Sequence, residues 1–189
     1  MCLGFFQTFW EEGLLPELPQ GARVLEIGCA EADWLGQMRQ ARPDLYLVGI
    51  DQRSTGKRPA ADECILADVL TYAFPAESFD AIIAVSMLEW AGCGHYGDPI
   101  DTEGDLRTMI RARHWVKPTG WMYFDVPCAS DNQDRKHNPD MRVYSDEAFD
   151  VLFTLGGWEV VTKRWFEGLM DNGKPHPDGP YMAHVLRPR

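Results

Sequence analysis

The chain has 189 residues, 45% of them hydrophobic and 25% charged, with a formal net charge of -11. That length suits one domain, and that composition is typical of a globular protein able to bury a core, so disorder is expected only at the ends and in one or two loops. The acidic balance argues against binding built on neutralising nucleic-acid phosphates, which needs a basic face.

Phe5, Phe6, Phe9 and Trp10 fall on one side of a helix that Gly13, Pro16 and Pro19 are expected to end, and residues 1–20 read as a lid helix and linker packed on the first strand. Residues 1–10 are apolar but lack a basic n-region. Glu11 and Glu12 interrupt them before signal or membrane-spanning length is reached. No membrane partner is expected, and the compartment reads as cytoplasmic. The five cysteines, Cys2, Cys29, Cys64, Cys93 and Cys128, are odd in number and widely spaced, so they read as reduced core residues with no zinc spacing.

Val24, Leu25 and Ile27 form a short apolar run, Gly28 lets the backbone leave it sharply, and Trp34, Leu35 and Met38 recur at helical spacing. This predicts strand, tight turn and helix, the helix running from Glu31 to about Arg42, just before Pro43. Residues 45–51 read as a second buried strand. Residues 52–63 have room for at most one helical turn. A third strand covers 64–67 and ends at Asp68. The fourth, 79–88, is the most continuous apolar run, as expected at the centre of a parallel sheet. Residues 89–101 carry four glycines or prolines and read as a loop. A helix over 105–115 has Leu106, Met109, Ile110 and Arg113 or His114 along one side and is broken by residues 117–120. A fifth strand follows over 121–126, then a polar, irregular stretch over 127–143 that is longer than a simple connection needs. Ser145 is an N-cap, Phe149, Leu152 and Phe153 form an apolar stripe, and Gly156-Gly157 ends that helix. Two more strands, 158–165 and 181–186, complete a single α/β domain over 1–189. Its sheet is seven-stranded, doubly wound and mostly parallel, with an antiparallel closing strand.

Open sheets of this kind bind ligands outside the carboxyl ends of their strands, which makes the turn at Gly28 the natural cofactor seat. A dinucleotide fold would need glycines at 28, 30 and 33, and the chain has Gly28, Ala30 and Asp33. Glu26, Glu31 and Asp33 surround the turn with carboxylates that repel a pyrophosphate. S-adenosylmethionine has no phosphate and carries a sulfonium and an ammonium, so an acidic turn suits it. Asp51 is placed to accept hydrogen bonds from both ribose hydroxyls. Asp68 is placed for the exocyclic amine of adenine, with Val69 or Leu70 against the ring.

Val-Leu-Glu-Ile-Gly-Cys, Val-Gly-Ile-Asp, Ala-Asp-Val, Ser-Phe-Asp-Ala-Ile-Ile-Ala-Val-Ser and Trp-Val-Lys-Pro-Thr-Gly-Trp resemble, in order, the signatures of class I S-adenosylmethionine-dependent methyltransferases. The resemblance implies a Rossmann-like fold with Glu26, Gly28, Asp51 and Asp68 as cofactor contacts. It also implies that Ser86 and Met87 line the place where the methyl group faces the substrate. Cys29, Ala30, Trp34, Gln52 and Val69 join the candidate cofactor set. The segment Gly94-His95-Tyr96-Gly97-Asp98-Pro99 is similar to a narrower methyltransferase-like family marked by Gly-Arg-Tyr-Gly-Asp-Pro. Asp125-Val126-Pro127 and Met141-Arg142-Val143-Tyr144 match its Asp-Val-Pro and, in part, its His-Arg-x-Tyr. The usual Gly-x-Gly-x-Gly turn is Gly28-Cys29-Ala30-Glu31-Ala32 here. If alanine must take a positive φ, the cost is about 1 kcal/mol or more, which predicts weakened cofactor affinity.

Methyl transfer is an in-line displacement, so the enzyme's main contribution is alignment. With a hydroxyl acceptor a base helps. His95 is the first candidate because its loop follows the fourth strand and its side chain titrates near neutrality. Asp98 and Asp125 are alternatives, and Asp98 before Pro99 reads equally as a turn residue. Tyr96 reads as a pocket wall or a proton donor. Arg135, Lys136 and His137 would suit an anionic substrate but read more simply as solvated, and the scattered His114, His176 and His184 suggest no metal. The expected function is methylation of a small molecule, a sugar or other hydroxylated metabolite. Competing readings are a binding protein of this fold without cofactor affinity and a nicotinamide-dependent oxidoreductase. The oligomeric state is left open.

Overall fold

The computed structural model describes residues 10–30, 33–54, 60–128, 136–137, 141–166 and 180–189. The strands are β1 (Arg23–Ile27), β2 (Tyr46–Asp51), β3 (Glu63–Leu66), β4 (Phe79–Val85), β5 (Val116–Pro127), β8 (Trp158–Phe166) and β9 (Tyr181–Pro188), with a small ribbon of β6 (Lys136–His137) and β7 (Arg142–Val143) beside them. The main sheet has seven strands in the order β3-β2-β1-β4-β5-β9-β8. All pairs from β3 to β5 are parallel, and β9 runs antiparallel to both β5 and β8. The architecture is thus the expected Rossmann-like α/β sheet. The order reverses between β1 and β4, and a cleft opens at their carboxyl ends.

Burial on both faces explains why the central strands read as unbroken apolar runs. On one face, Trp34, Leu35 and Met38 of α1 (Trp34–Ala41) pack on Val24, Leu47, Ala81 and Ile83, together with Trp10, Leu14 and Leu18. On the other face, Met109 and Trp115 of α2 (Gly104–Trp115) and Phe149 and Phe153 of α3 (Asp146–Gly156) cover Leu25, Ile82 and Phe124. Among the described residues, no helix is long and apolar enough to cross a membrane.

Several boundaries differ from the sequence reading for physical reasons. Gly13 does not end the first helical piece, because a π-helical turn (Trp10–Leu14) runs through it into a 3-10 turn (Leu15–Glu17). Pro16 fits the first turn there, where its missing N–H is not needed. Trp10 packs edge-on to Trp121, while the rest of the expected lid helix, residues 1–9, lies outside the described residues. The helix α1 starts at Trp34 rather than Glu31, with residues 31–32 outside the described set. β4 ends at Val85, because Ser86 takes φ +47° and turns the chain away. β5 begins at Val116, before the expected Trp121, because residues 117–120 form an irregularity between the Phe79–Val116 and Ala81–Trp121 pairs.

The buried side of α2 is Asp105, Thr108, Met109, Ala112 and Trp115, while Ile110 is 47% exposed. A buried acid on a helix is invisible to hydrophobic periodicity. Cys64 is exposed on the edge strand β3, unlike the buried Cys29 and Cys128, and all the described cysteines are free thiols. The expected cap of α3 is present: Ser145 Oγ accepts from Ala148 N at 3.2 Å, and Gly157 closes the helix at φ +76°.

Candidate functional site

A cavity of about 350 Å³ lies at the carboxyl ends of β1 to β5. Gly28, Trp34, Asp51, Gln52, Asp68, Val69, Ser86 and Met87 line it, as do Tyr96, Asp98 and Asp125. Glu26, Cys29, Ala30 and His95 do not border it.

The turn after β1 is shaped at Gly28, which has φ +85° and donates its N–H to Ile50 O at 2.9 Å. A Cβ there would lie 2.7 Å from Met87 Cγ, so only glycine lets the turn approach this closely. Ala30 needs no such freedom. Its φ is not positive, and its N–H donates to Asp51 Oδ2 at 3.1 Å. The strain expected at Ala30 is therefore absent, and Ala32 lies outside the described residues. Cys29 is pressed between the turn and Gly49, and burial pushes its thiol up to about 12, which leaves it an unreactive packing group.

Asp51 also accepts from Arg53, through the backbone N–H at 2.8 Å and the guanidinium Nε and Nη2 at 3.1 Å each. The same guanidinium lies 4.1 Å over the ring of Tyr96, tying the end of β2 to the loop across the cavity. Asp68 Oδ1 accepts from Leu70 N at 2.8 Å and shapes the turn after β3. Glu26 is 1% exposed, and its Oε2 finds no hydrogen-bond partner among the described residues. Burial, then Asp33 and Asp51, hold its carboxyl well above the usual range.

On the β4–β5 side, Ser86 N donates to Asp125 Oδ1 at 3.0 Å and Tyr123 Oη donates to Asp125 Oδ2 at 2.7 Å. Ser86 Oγ donates to Glu89 Oε1 at 2.6 Å. Asp125 is 1% exposed, and burial pushes it up to about 6 against the lowering effect of its two donors. Trp90, Tyr96 and Tyr181 supply aromatic walls. His95 is exposed and turned away, its ring 4.7 Å from that of Trp90 and 4.6 Å from that of Tyr96. Asp98 organises its own loop, accepting from Gly94 N at 3.2 Å, Tyr96 N at 3.3 Å and Gln52 Nε2 at 3.3 Å.

That loop is held from behind by a buried ion pair. Arg142, fully buried, donates to Ala91 O through Nη1 and to Asp101 O through Nη2 at 2.7 Å, and its Nε lies 3.8 Å from Asp105. Tyr144 Oη donates to the same Asp105 at 3.0 Å. The Arg-x-Tyr pattern was visible in the sequence. Its role as a clamp was not, because Asp105 reads as an ordinary first-turn acid of α2. Trp90, Tyr181 and Arg53 were also missed, being marked by no local motif. The side chains of Arg135, Lys136 and His137 lie outside the described residues. No group of three or more His, Cys, Asp or Glu among the described residues could hold a metal ion.

The β1–β3 half suits a cationic, phosphate-free cofactor: a glycine cradle that any Cβ would fill, Asp51 at the strand end, and an orphaned Glu26 oxygen behind the turn. A family model described as a methyltransferase domain matches residues 7–163. The chain belongs to that methyltransferase family. It is a class I enzyme whose cofactor is S-adenosylmethionine, the source of an activated methyl group. No curated protein matches the methyltransferase at a significant level. Among solved structures, an S-adenosylmethionine-dependent methyltransferase from Methanosarcina mazei has a TM-score of 0.69 at 12% identity, covering 93% of this chain and 96% of its own. One from Leishmania major has 0.65 at 18% identity, covering 96% and 71%. Coclaurine N-methyltransferase, bound to N-methylheliamine and S-adenosylhomocysteine, has 0.69 at 11% identity, covering 98% and 70%. At these identities the likeness is one of fold.

Proposed function

We propose that this methyltransferase acts on a small molecule bound at the Asp125 end of the cavity. In this reading Asp51 takes the ribose, Asp68 and Val69 the adenine, and the Gly28 turn the amino-acid end of the cofactor, with Glu26 buried behind that turn. Ser86 and Met87 stand where donor and acceptor meet. The observation that carries the reading is continuity: one cavity reaches from Asp51 and Asp68 to Asp125 and Tyr181, so donor and acceptor would share one chamber.

Asp125 replaces His95 as the group facing the acceptor heteroatom. The hydroxylated metabolite expected from sequence rested on the acidic charge and on the lack of a nucleic-acid or peptide signature, and His95, the base expected to serve such a hydroxyl, does not line the cavity. Tyr96 is a wall and Asp98 a loop scaffold. The kinship with the narrower Gly-Arg-Tyr-Gly-Asp-Pro group is part of the proposal, with Asp98 and the Arg142–Tyr144 pair building the same loop. A single domain over 1–189 is supported by one sheet that takes strands from both ends of the described chain. The cytoplasmic location rests on the sequence alone.

Calorimetry with S-adenosylhomocysteine tests the reading. Binding is expected, with at least a tenfold loss in Asp51→Ala and little change in Asp125→Asn. No binding at millimolar concentration would overturn it.

A further inference from the structure

We infer that the acceptor is a small amine, its nitrogen held on Asp125 and its body against Trp90 and Tyr181. This rests on the proposed placement of the cofactor in the other half of the cavity. Asp51, Asp68, Asp98 and Asp125 are the acids that line the cavity, and among the described residues Arg53 is the one cation that does. Its guanidinium is already held on Asp51 and against Tyr96, so it offers Asp125 no counter-charge. An anionic acceptor would meet Asp125 with like charge in a poorly solvated pocket. A sugar would set some of its hydroxyls against Val85, Met87 and Ala91, whose side chains offer no hydrogen-bond partner. An amine needs one carboxylate and aromatic faces, and both are present.

Asp125 is prepared for that task. Ser86 N and Tyr123 Oη each occupy one lone pair, one on each oxygen, which supports the charged form in a buried place and leaves an acceptor position on each oxygen. An entering ammonium can pass one proton to this carboxylate. The nitrogen lone pair then forms the new C–N bond as the methyl–sulfur bond breaks with its electron pair kept by sulfur, and the proton on Asp125 leaves to water with the methylated ammonium product. No further reactant is required. An aliphatic alcohol is a far weaker acid than an alkylammonium, so the same carboxylate activates it far less.

The test uses the full chain saturated with S-adenosylhomocysteine and titrated calorimetrically with benzylamine, benzyl alcohol and benzoate as matched probes. Benzylamine is expected to bind at least tenfold more tightly than the other two, and Asp125→Asn to erase that preference while keeping S-adenosylhomocysteine affinity. Tyr123→Phe, which leaves the carboxylate in place, is expected to keep the preference and move its acid midpoint upward. Equal binding of amine and alcohol, binding of none of the three, or a preference that survives Asp125→Asn overturns the inference. Failure of S-adenosylhomocysteine itself to bind overturns the cofactor placement, and this inference with it.

Discussion

Arg53 and Asp51 form a partly buried ion pair in which the carboxylate proposed for the cofactor ribose is already engaged by a guanidinium. Ribose hydroxyls must share or displace it. Arg53→Met is therefore expected to raise S-adenosylhomocysteine affinity about twofold to fivefold at low salt, the scale of a partly exposed ion pair. The gain should shrink as salt is added. Titration of both proteins at two ionic strengths checks this, and an affinity loss in Arg53→Met would mean that Arg53 helps to hold the cofactor.

Gly28 and Ala30 make opposite predictions. Gly28→Ala puts a methyl group 2.7 Å from Met87 Cγ at φ +85°, so it should cost about 1–3 kcal/mol of stability and weaken cofactor binding. Ala30→Gly should leave affinity unchanged, because Ala30 does not use a positive φ. Thermal melts and S-adenosylhomocysteine titrations of both variants check the pair.

Removing Arg142 takes the counter-charge from the fully buried Asp105 and leaves it the neutral donors Tyr144 Oη and Leu106 N. Arg142→Met is expected to cost about 3–5 kcal/mol in chemical denaturation. The milder Tyr144→Phe removes one bond to Asp105 and should cost about 1 kcal/mol. If Arg142→Met were as stable as the parent, the clamp on Ala91 and Asp101 would have no energetic role.

His184 lies against Phe124, Phe149 and Phe153, and its ring nitrogens have no hydrogen-bond partner among the described residues. Burial pushes it down to about 3, with Lys163 acting in the same direction and Asp146 opposing. The unfolded chain thus binds this proton more readily than the folded one. The stability from neutral His184 is fully present above the unfolded value near 6.5 and is lost as pH falls towards 3, at up to ~1.4 kcal/mol per pH unit. His184→Leu should flatten the acid limb of stability against pH, and an unchanged limb would count against this assignment.

Asp125 has the opposite sign. Its folded value is raised to about 6, so its burial costs stability at neutral pH and the cost fades as pH falls below 6. Activity should move the other way, with kcat/KM dropping on the acid side of about 6 as the carboxylate is protonated. A pH–rate profile of the parent enzyme beside Asp125→Asn checks this, since the variant should lack that limb.

The half of the cavity proposed for the cofactor was legible in the sequence because its groups sit at strand ends, where a short apolar run announces the position. Gly28, Asp51 and Asp68 each follow such a run directly. The half proposed for the acceptor was less legible because its side chains are fixed by contacts distant in sequence. Asp105 is buried only because Arg142 and Tyr144 reach it from beyond β5. Tyr181 enters through its pairing with Pro127. His95 was placed correctly on the loop after β4, but its ring packs against those of Trp90 and Tyr96, which spacing does not encode.

β9 follows β8 in the chain yet lies between β8 and β5. During synthesis, the strands that lead to Gly28, Asp51 and Asp68 can pair long before Tyr181 exists, and until β9 inserts, β5 presents an unpaired edge beside Asp125. A nascent or truncated chain lacking this strand would be exposed to strand-pairing with other chains. Tyr181, the wall proposed for the acceptor, thus belongs to the segment that makes this edge safe.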